Sequence, residues 1–352
     1  MPNPQDRSVS FRQQLKGELD DFLADEGLIC ADTATALMTI VAKLSNYTEE
    51  GIPLSPEVYI CNDIDQVTSV LQGSEIVVIG KGLRDAETAD RALRECGPLA
   101  TGGWAVFIER NPDGFRYGVF RFSNLPLSLR PDEVLVEDGE SDIFVVIARK
   151  VAPNCVELLG TSGSRRRLFF SADRAESPAP DKALRKLCDV IAEDVVNTEK
   201  EKIVRFCYRT MKEALEESHG TLIVVLGKLR KKFPKNMADA LVFDTPISIQ
   251  DWVLDYIRYA DNESMARLQD TANLVIGLMR CDGILVFRSD ASIMGYRAFL
   301  STRISSQSTQ TTGGARRRAF ENLKELVRGK KIKAAFIRSQ DGATDFFGEE
   351  DV

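Results

Sequence analysis

A single histidine, His219, in 352 residues removes whole classes of chemistry. Multi-histidine metal sites are impossible, and Ser-His-Asp catalysis has almost nothing to draw on. The seven cysteines (Cys30, Cys61, Cys96, Cys155, Cys188, Cys207, Cys281) are odd in number and widely spaced, with no Cys-x-x-Cys pair. That excludes a zinc cluster and a disulfide framework, and they read as reduced, mostly buried thiols. No stretch approaches the ~18 apolar residues of a membrane span, and the polar start, Met1 to Arg12, lacks the apolar core of a secretory signal. The expectation is a cytoplasmic protein with no membrane contact. Surplus cations are missing as well: the net charge is −7, which argues against a nucleic-acid partner.

What is present suits two cores, since 43% of residues are hydrophobic and single cores rarely grow past roughly 250 to 300 residues. The fold class is α/β throughout. Residues 1–172 are expected to form a mixed α/β sensor or regulatory domain, 173–180 a linker, and 181–352 a mixed β-sheet covered by helices. In the first domain, Phe11, Leu15, Leu19, Phe22 and Leu23 recur at helical spacing, and a second helix runs from Ala31 to Leu44. Strands are expected at 58–60 and 75–79, with a helix over 84–96. Two hairpins follow, one turning at Asn111-Pro112-Asp113-Gly114 and the other at Pro153-Asn154. Ser171 to Pro180 has two prolines and no apolar period, which marks the boundary.

Beyond it, helical spacing from Leu184 to Leu215 leads into Thr221–Leu226, a continuous apolar run fit for a buried strand. Further strands are expected at 240–243, 284–287, 294–299 and 334–337, with helices over 249–259, 264–279 and 316–327. From Ala315 to Arg338 there are nine Lys or Arg (Arg316, Arg317, Arg318, Lys324, Arg328, Lys330, Lys331, Lys333, Arg338) against Glu321 and Glu325, a local +7. The loop Lys228 to Lys235 adds five more cations.

Three arginines in the first turn of a helix sit at the positive end of its dipole, each disfavoured by roughly 0.3–1 kcal/mol without a counter-anion. A bound phosphate reverses that sign, and Gly313 and Gly314 permit close backbone approach. The plain alternative is a solvated basic helix end. Asp282-Gly283 opens a strand, where a carboxylate at the sheet rim can hold a divalent metal or take a hydroxyl proton; taken alone, ordinary capping and turn chemistry is the better account of it. Ser339-Gln340-Asp341-Gly342 reads as a hairpin turn, His219 as a helix-end residue, and Arg165 to Arg167 as a solvated strand end.

Taken in order, Gly220-Thr221-Leu222-Ile223-Val224-Val225, Cys281-Asp282-Gly283-Ile284, Gly314-Ala315-Arg316-Arg317-Arg318-Ala319 and Ser339-Gln340 resemble the diadenylate-cyclase (DAC) domain family over roughly residues 215–347. That family carries a Gly-Ala-Leu-Ile-Val strand, an Asp-Gly-Ala motif, a Gly-Thr/Ala-Arg-His-Arg motif and a Ser-Glu turn. The chain departs at Ile284 for alanine, Arg317 for histidine and Gln340 for glutamate. The last exchange removes a negative charge that a divalent cation prefers.

The resemblance implies a nucleotidyltransferase that condenses two ATP to cyclic di-AMP with Mg²⁺ or Mn²⁺, across two facing protomers of a homodimer or higher homo-oligomer. It implies Asp282 as the metal-associated acid, and Arg316, Arg317 and Arg318 as catalytic phosphate holders. Gly283, Gly313, Gly314, Ser339 and Gln340 would bind nucleotide. Two other readings stay open: an inactive DAC-like module that binds ATP or a cyclic dinucleotide as a sensor, and a basic surface that contacts acidic protein or nucleic acid.

Overall fold

The computed structural model describes residues 11–71, 74–137, 143–152, 154–170, 180–196, 198–217, 220–301, 314–339 and 343–352. The chain divides into two compact units, 1–124 with 128–174, and 175–352 with 125–127. Most of the linker expected at 173–180 lies outside the described residues, as do His219, Gly313, Gln340 and Pro153.

The first unit opens with α1 (Phe11–Asp25) and α2 (Ala31–Leu44), whose apolar stripes are buried as their spacing predicts, except that Phe11 at the start of α1 is exposed. A two-stranded ribbon, β1 (Thr48–Glu49) and β2 (Ile52–Pro53), precedes β3 (Val58–Cys61), α3 (Ile64–Ser69), β4 (Glu75–Gly82) and α4 (Ala86–Cys96). Then come β5 (Trp104–Asn111), β6 (Gly114–Arg121), α5 (Pro131–Glu137), β7 (Val145–Ala152), β8 (Cys155–Gly160) and β9 (Arg165–Phe169). The seven strands β3 to β9 form one mixed sheet ordered β4-β6-β5-β3-β7-β8-β9, in which β3 and β5 are parallel. Both predicted hairpins are present, as β5–β6 and β7–β8. Helices α1, α2 and α4 cover one face through Leu37, Ile40, Leu93, Val106 and Ile108.

The other face holds an apolar centre of Tyr59, Phe107, Phe120 and Ile147 beside a buried ionic cluster. There Arg149 Nη2 donates to Glu157 Oε2 at 2.9 Å and its Nη1 to Asp132 Oδ2 at 2.8 Å, while Arg130 donates to Glu57 and to Asp132. Arg167, expected to be solvated, also donates to Glu157, at 3.1 Å. Charged groups this deep persist only when paired.

In the second unit α6 (Pro180–Ile191) and α7 (Lys200–Glu217) lead into β10 (Thr221–Leu226). There follow β11 (Met237–Ala238), β12 (Leu241–Ser248), α8 (Ile249–Tyr259), α9 (Asn262–Arg280), β13 (Ile284–Arg288) and β14 (Ser292–Leu300). The unit ends with α10 (Ala315–Arg328), β15 (Ala334–Arg338) and β16 (Thr344–Gly348). Its sheet runs β11-β14-β13-β10-β15-β16, with β12 also on β14. Helices α6 to α9 pack on one face against Ile223, Val225, Leu285 and Phe336. Helix α10 covers the other through Phe320, Leu323 and Val327 on Leu222, Val224 and Val286. Strands buried on both faces must be apolar at every position, which is why β10 and β13 read as unbroken hydrophobic runs. The α/β class is as expected. All seven cysteines are free and five are buried, burial pushing the Cys96 thiol up to about 12.

Candidate functional site

Four sequence segments meet at one rim of the second sheet. Strands β10 and β13 are parallel, with Leu222 beside Ile284, so Gly220 and Gly283 lie at the same end. Strand β15 runs against β10 with Arg338 opposite Thr221, which brings Ser339 to that end too. Helix α10 is joined to β15 by a short turn and packs back along it, so its first turn arrives there as well.

Helices α3, α4, α8 and α9 each begin with a side chain that accepts from their first-turn N–H groups: Asp63, Asp85, Ser248 and Asp261. Helix α10 begins differently. Its N-cap is Gly314, with no side-chain cap and no acid in the first turn. The positive dipole end and the first-turn N–H groups therefore face outward beside three guanidinium groups.

Those three fan apart. Arg316 reaches across to the mouth of β13, its Nη2 3.6 Å from Asp282 Oδ1. Arg317 turns toward β16, with Nη1 3.1 Å from Asp345 Oδ2, Nε 3.3 Å from Glu321 Oε1 and its plane over the Phe320 ring. Arg318 is exposed and forms no ion pair among the described residues. Arg316 and Arg318 are thus placed to meet an anion at the rim, whereas Arg317 fastens α10 to β16 together with Lys324, which approaches the same two acids.

Asp282 is 79% exposed, at the rim as the sequence suggests. Gly283 has φ +97°, and a Cβ there would come within 2.8 Å of the Arg297 Cα, so the close backbone it admits is that of β14. Ser339 closes the β15–β16 hairpin: both its N–H and its hydroxyl donate to the Ala343 carbonyl, at 2.8 and 3.0 Å. Its hydroxyl proton is committed to that turn. Gly313 and Gln340 lie outside the described residues.

The nine-cation segment is not one patch. Helix α10, 14 residues long, carries Arg316–Arg318 at the rim and ends at Arg328, roughly 15–18 Å away at 1.5 Å per residue. There Lys330 and Lys331 join the Lys228–Lys235 loop, Arg230 donating to the Lys330 carbonyl at 3.3 Å.

Two further cations stand at the rim: Arg297, which no motif marked, and Arg338, counted above only within the basic segment. Arg297 is exposed, with φ +54°, where β14 bulges against β13. A bulge that holds a non-glycine residue in the left-handed region re-aims its side chain, a device common beside binding sites. Arg338 is buried at the end of β15. An arginine closing the otherwise apolar run Ala334-Ala335-Phe336-Ile337 was the available signal for it. Arg297 gave no such signal, because bulges are not encoded in a short word.

A resident divalent metal does not fit this donor set. Among the described residues the rim offers one carboxylate, with a guanidinium 3.6 Å away, too few ligands for Mg²⁺ or Mn²⁺, and no group of three or more His, Cys, Asp or Glu among them is arranged to hold a metal ion. Among those residues, too, no helix is long and apolar enough to cross a membrane.

No family model, curated protein or solved structure matches the chain. The functional reading therefore rests on the site itself and on the order of its motifs.

Proposed function

We propose that the second unit binds ATP at the rim formed by Asp282, Gly283, Gly314, Arg316 and Arg318, and joins two ATP molecules into cyclic di-AMP as a nucleotidyltransferase of diadenylate-cyclase type. The observation that carries this reading is the approach of Arg316 to Asp282, which puts a phosphate-binding cation beside a carboxylate at an uncapped helix start. An exposed pair at 3.6 Å contributes at most about 1 kcal/mol, so it is readily exchanged for the stronger bidentate contact of a guanidinium with phosphate.

ATP enters as its magnesium or manganese complex, the metal arriving with the triphosphate. Arg316 and Arg318, with Arg297, bind phosphate oxygens and orient the α-phosphate. Asp282 accepts the proton of a ribose 3′-hydroxyl as that oxygen forms its bond to the α-phosphorus of the second ATP. The α–β phosphoanhydride bond breaks and pyrophosphate leaves with the electron pair. Two such steps close the ring, and each needs a nucleotide presented by a facing protomer, so turnover requires at least a transient dimer.

A second reading has its own support. The one carboxylate that the described residues place at the rim, the cation beside it and the orientation of Arg317 toward Asp345 favour a module that holds ATP or a cyclic dinucleotide without turning it over.

Incubating the full chain with ATP and Mg²⁺ or Mn²⁺, with products identified by mass spectrometry, separates the two. Cyclic di-AMP and pyrophosphate, lost in Asp282→Asn, support the enzyme. No product with either metal, together with a thermal shift by ATP that Arg316→Ala/Arg318→Ala abolishes, supports the binding module. Neither product nor thermal shift removes both.

A further inference from the structure

We propose that the chain associates with a second copy of itself by antiparallel pairing of strand β4 across a two-fold axis at Val78. This contact lies in the first unit and is independent of the nucleotide reading. Strand β4 ends its sheet, bonded on one side to β6, and no strand among the described residues pairs with its outer edge. Three successive aliphatic side chains on it, Val77, Val78 and Ile79, are exposed. A long apolar edge of this kind pairs with other strands unless it is guarded.

Three other edge strands are guarded. Strand β9, at the far side of the same sheet, carries Arg165, Arg166 and Arg167. Strand β12 holds Asp244 and Pro246, and β16 places Phe347 under Lys324 and Arg328. Strand β4 has no proline and no charge in its centre; a bulge between Val78 and Gly80 displaces Ile79 from the alternation, and Arg91 donates to the Lys81 carbonyl at 3.4 Å near its end. Its charges sit at the two ends and are opposite in sign, Glu75 and Lys81, both exposed.

That arrangement is self-complementary in one register. When Val78 faces Val78 of the second copy, Glu75 stands opposite Lys81 twice, and Val77 opposite Ile79 twice. A shift by one residue either way leaves both charges without an opposite partner and places Lys81 against Ile76 or Ser74. Main-chain hydrogen bonds supply the attraction, the aliphatic pairs bury apolar surface, and the paired charges select a second copy over an unrelated strand.

The test is sedimentation velocity of the full chain across the micromolar range. The wild type is expected to form a dimer. Val78→Lys, which sets two lysines face to face on the axis, should weaken it by at least ~10-fold without lowering the thermal melt. Glu75→Lys and Lys81→Glu should each weaken it, because each sets like charges opposite one another. An equimolar mixture of these two variants, and the double variant Glu75→Lys/Lys81→Glu, should recover the dimer, since both restore every opposite-charge pair. A monomer at all concentrations overturns the proposal. So does an oligomer that ignores Val78→Lys, or one that the single reversals weaken and neither the mixture nor the double variant restores.

Discussion

Arg316 Nη2 stands 3.6 Å from Asp282 Oδ1, although β13 and β14 intervene between them in the chain. The contact exists because β13 starts, and α10 starts, at the same rim of one sheet. The two residues should therefore fail differently from their neighbours when changed.

Asp282 is largely solvated, so Asp282→Asn should alter stability by less than about 0.5 kcal/mol in urea unfolding. If the carboxylate accepts the hydroxyl proton, cyclic di-AMP formation should fall about 100-fold or more in the same preparation. A variant that retains full turnover would remove Asp282 from the chemistry.

Arg316 and Arg317 are adjacent and should separate binding from stability. Arg317→Ala gives up its contacts with Asp345, Glu321 and Phe320, and should cost about 1 kcal/mol of stability with ATP affinity unchanged. Arg316→Ala should do the reverse. Calorimetric titration with ATP and urea unfolding of both variants would check the pair, and a large affinity loss in Arg317→Ala would contradict the placement.

In the first unit, Arg149 and Glu157 are both nearly inaccessible to solvent. Arg149→Met should destabilise by about 3 kcal/mol, because it removes the most buried partner of Glu157 and leaves that carboxylate only its contacts with the more exposed Arg167 and Arg165. Arg149→Met/Glu157→Leu should recover part of that loss, since neither charge is then buried unpaired. Chemical unfolding of the single and double variants measures the difference.

Asp194 accepts from the Ser289 hydroxyl and lies 3.6 Å from Lys333 Nζ. The Ser289 bond, foremost, holds the Asp194 carboxyl below its ordinary value. A depressed carboxyl contributes stability that is present above about pH 4 and is lost as pH falls through the folded value. Ser289→Ala should therefore be less stable than wild type near neutrality and converge with it in acid. Thermal melts across the acid range would show a gap that closes as pH drops; a gap that stays constant would mean that the hydroxyl serves packing alone.

Much of this architecture was legible before any coordinates. The apolar run Thr221–Leu226, the stripe from Phe320 to Val327 and the Asn-Pro-Asp-Gly turn each declare their element locally, because burial on both faces, burial on one side and turn geometry leave different residue patterns. Helices α3 and α5 were not legible, since six or seven residues hold too few positions for a helical period to show. At the site, Asp282 and Arg316 could be named as candidates from strand and helix starts.

The sequence alone determined two α/β units, the exclusion of multi-histidine metal sites, the apolar strands of both cores and a basic helix start after paired glycines. Tertiary structure decided which arginine faces Asp282 and which is turned to Asp345, that Ser339 spends its hydroxyl on Ala343, and that Arg297 stands at the rim. Local pattern fixes whether a residue is buried or exposed, because that depends on the periodicity of its own element. What a charged side chain meets depends on strand order and register, which arise only when distant segments pack.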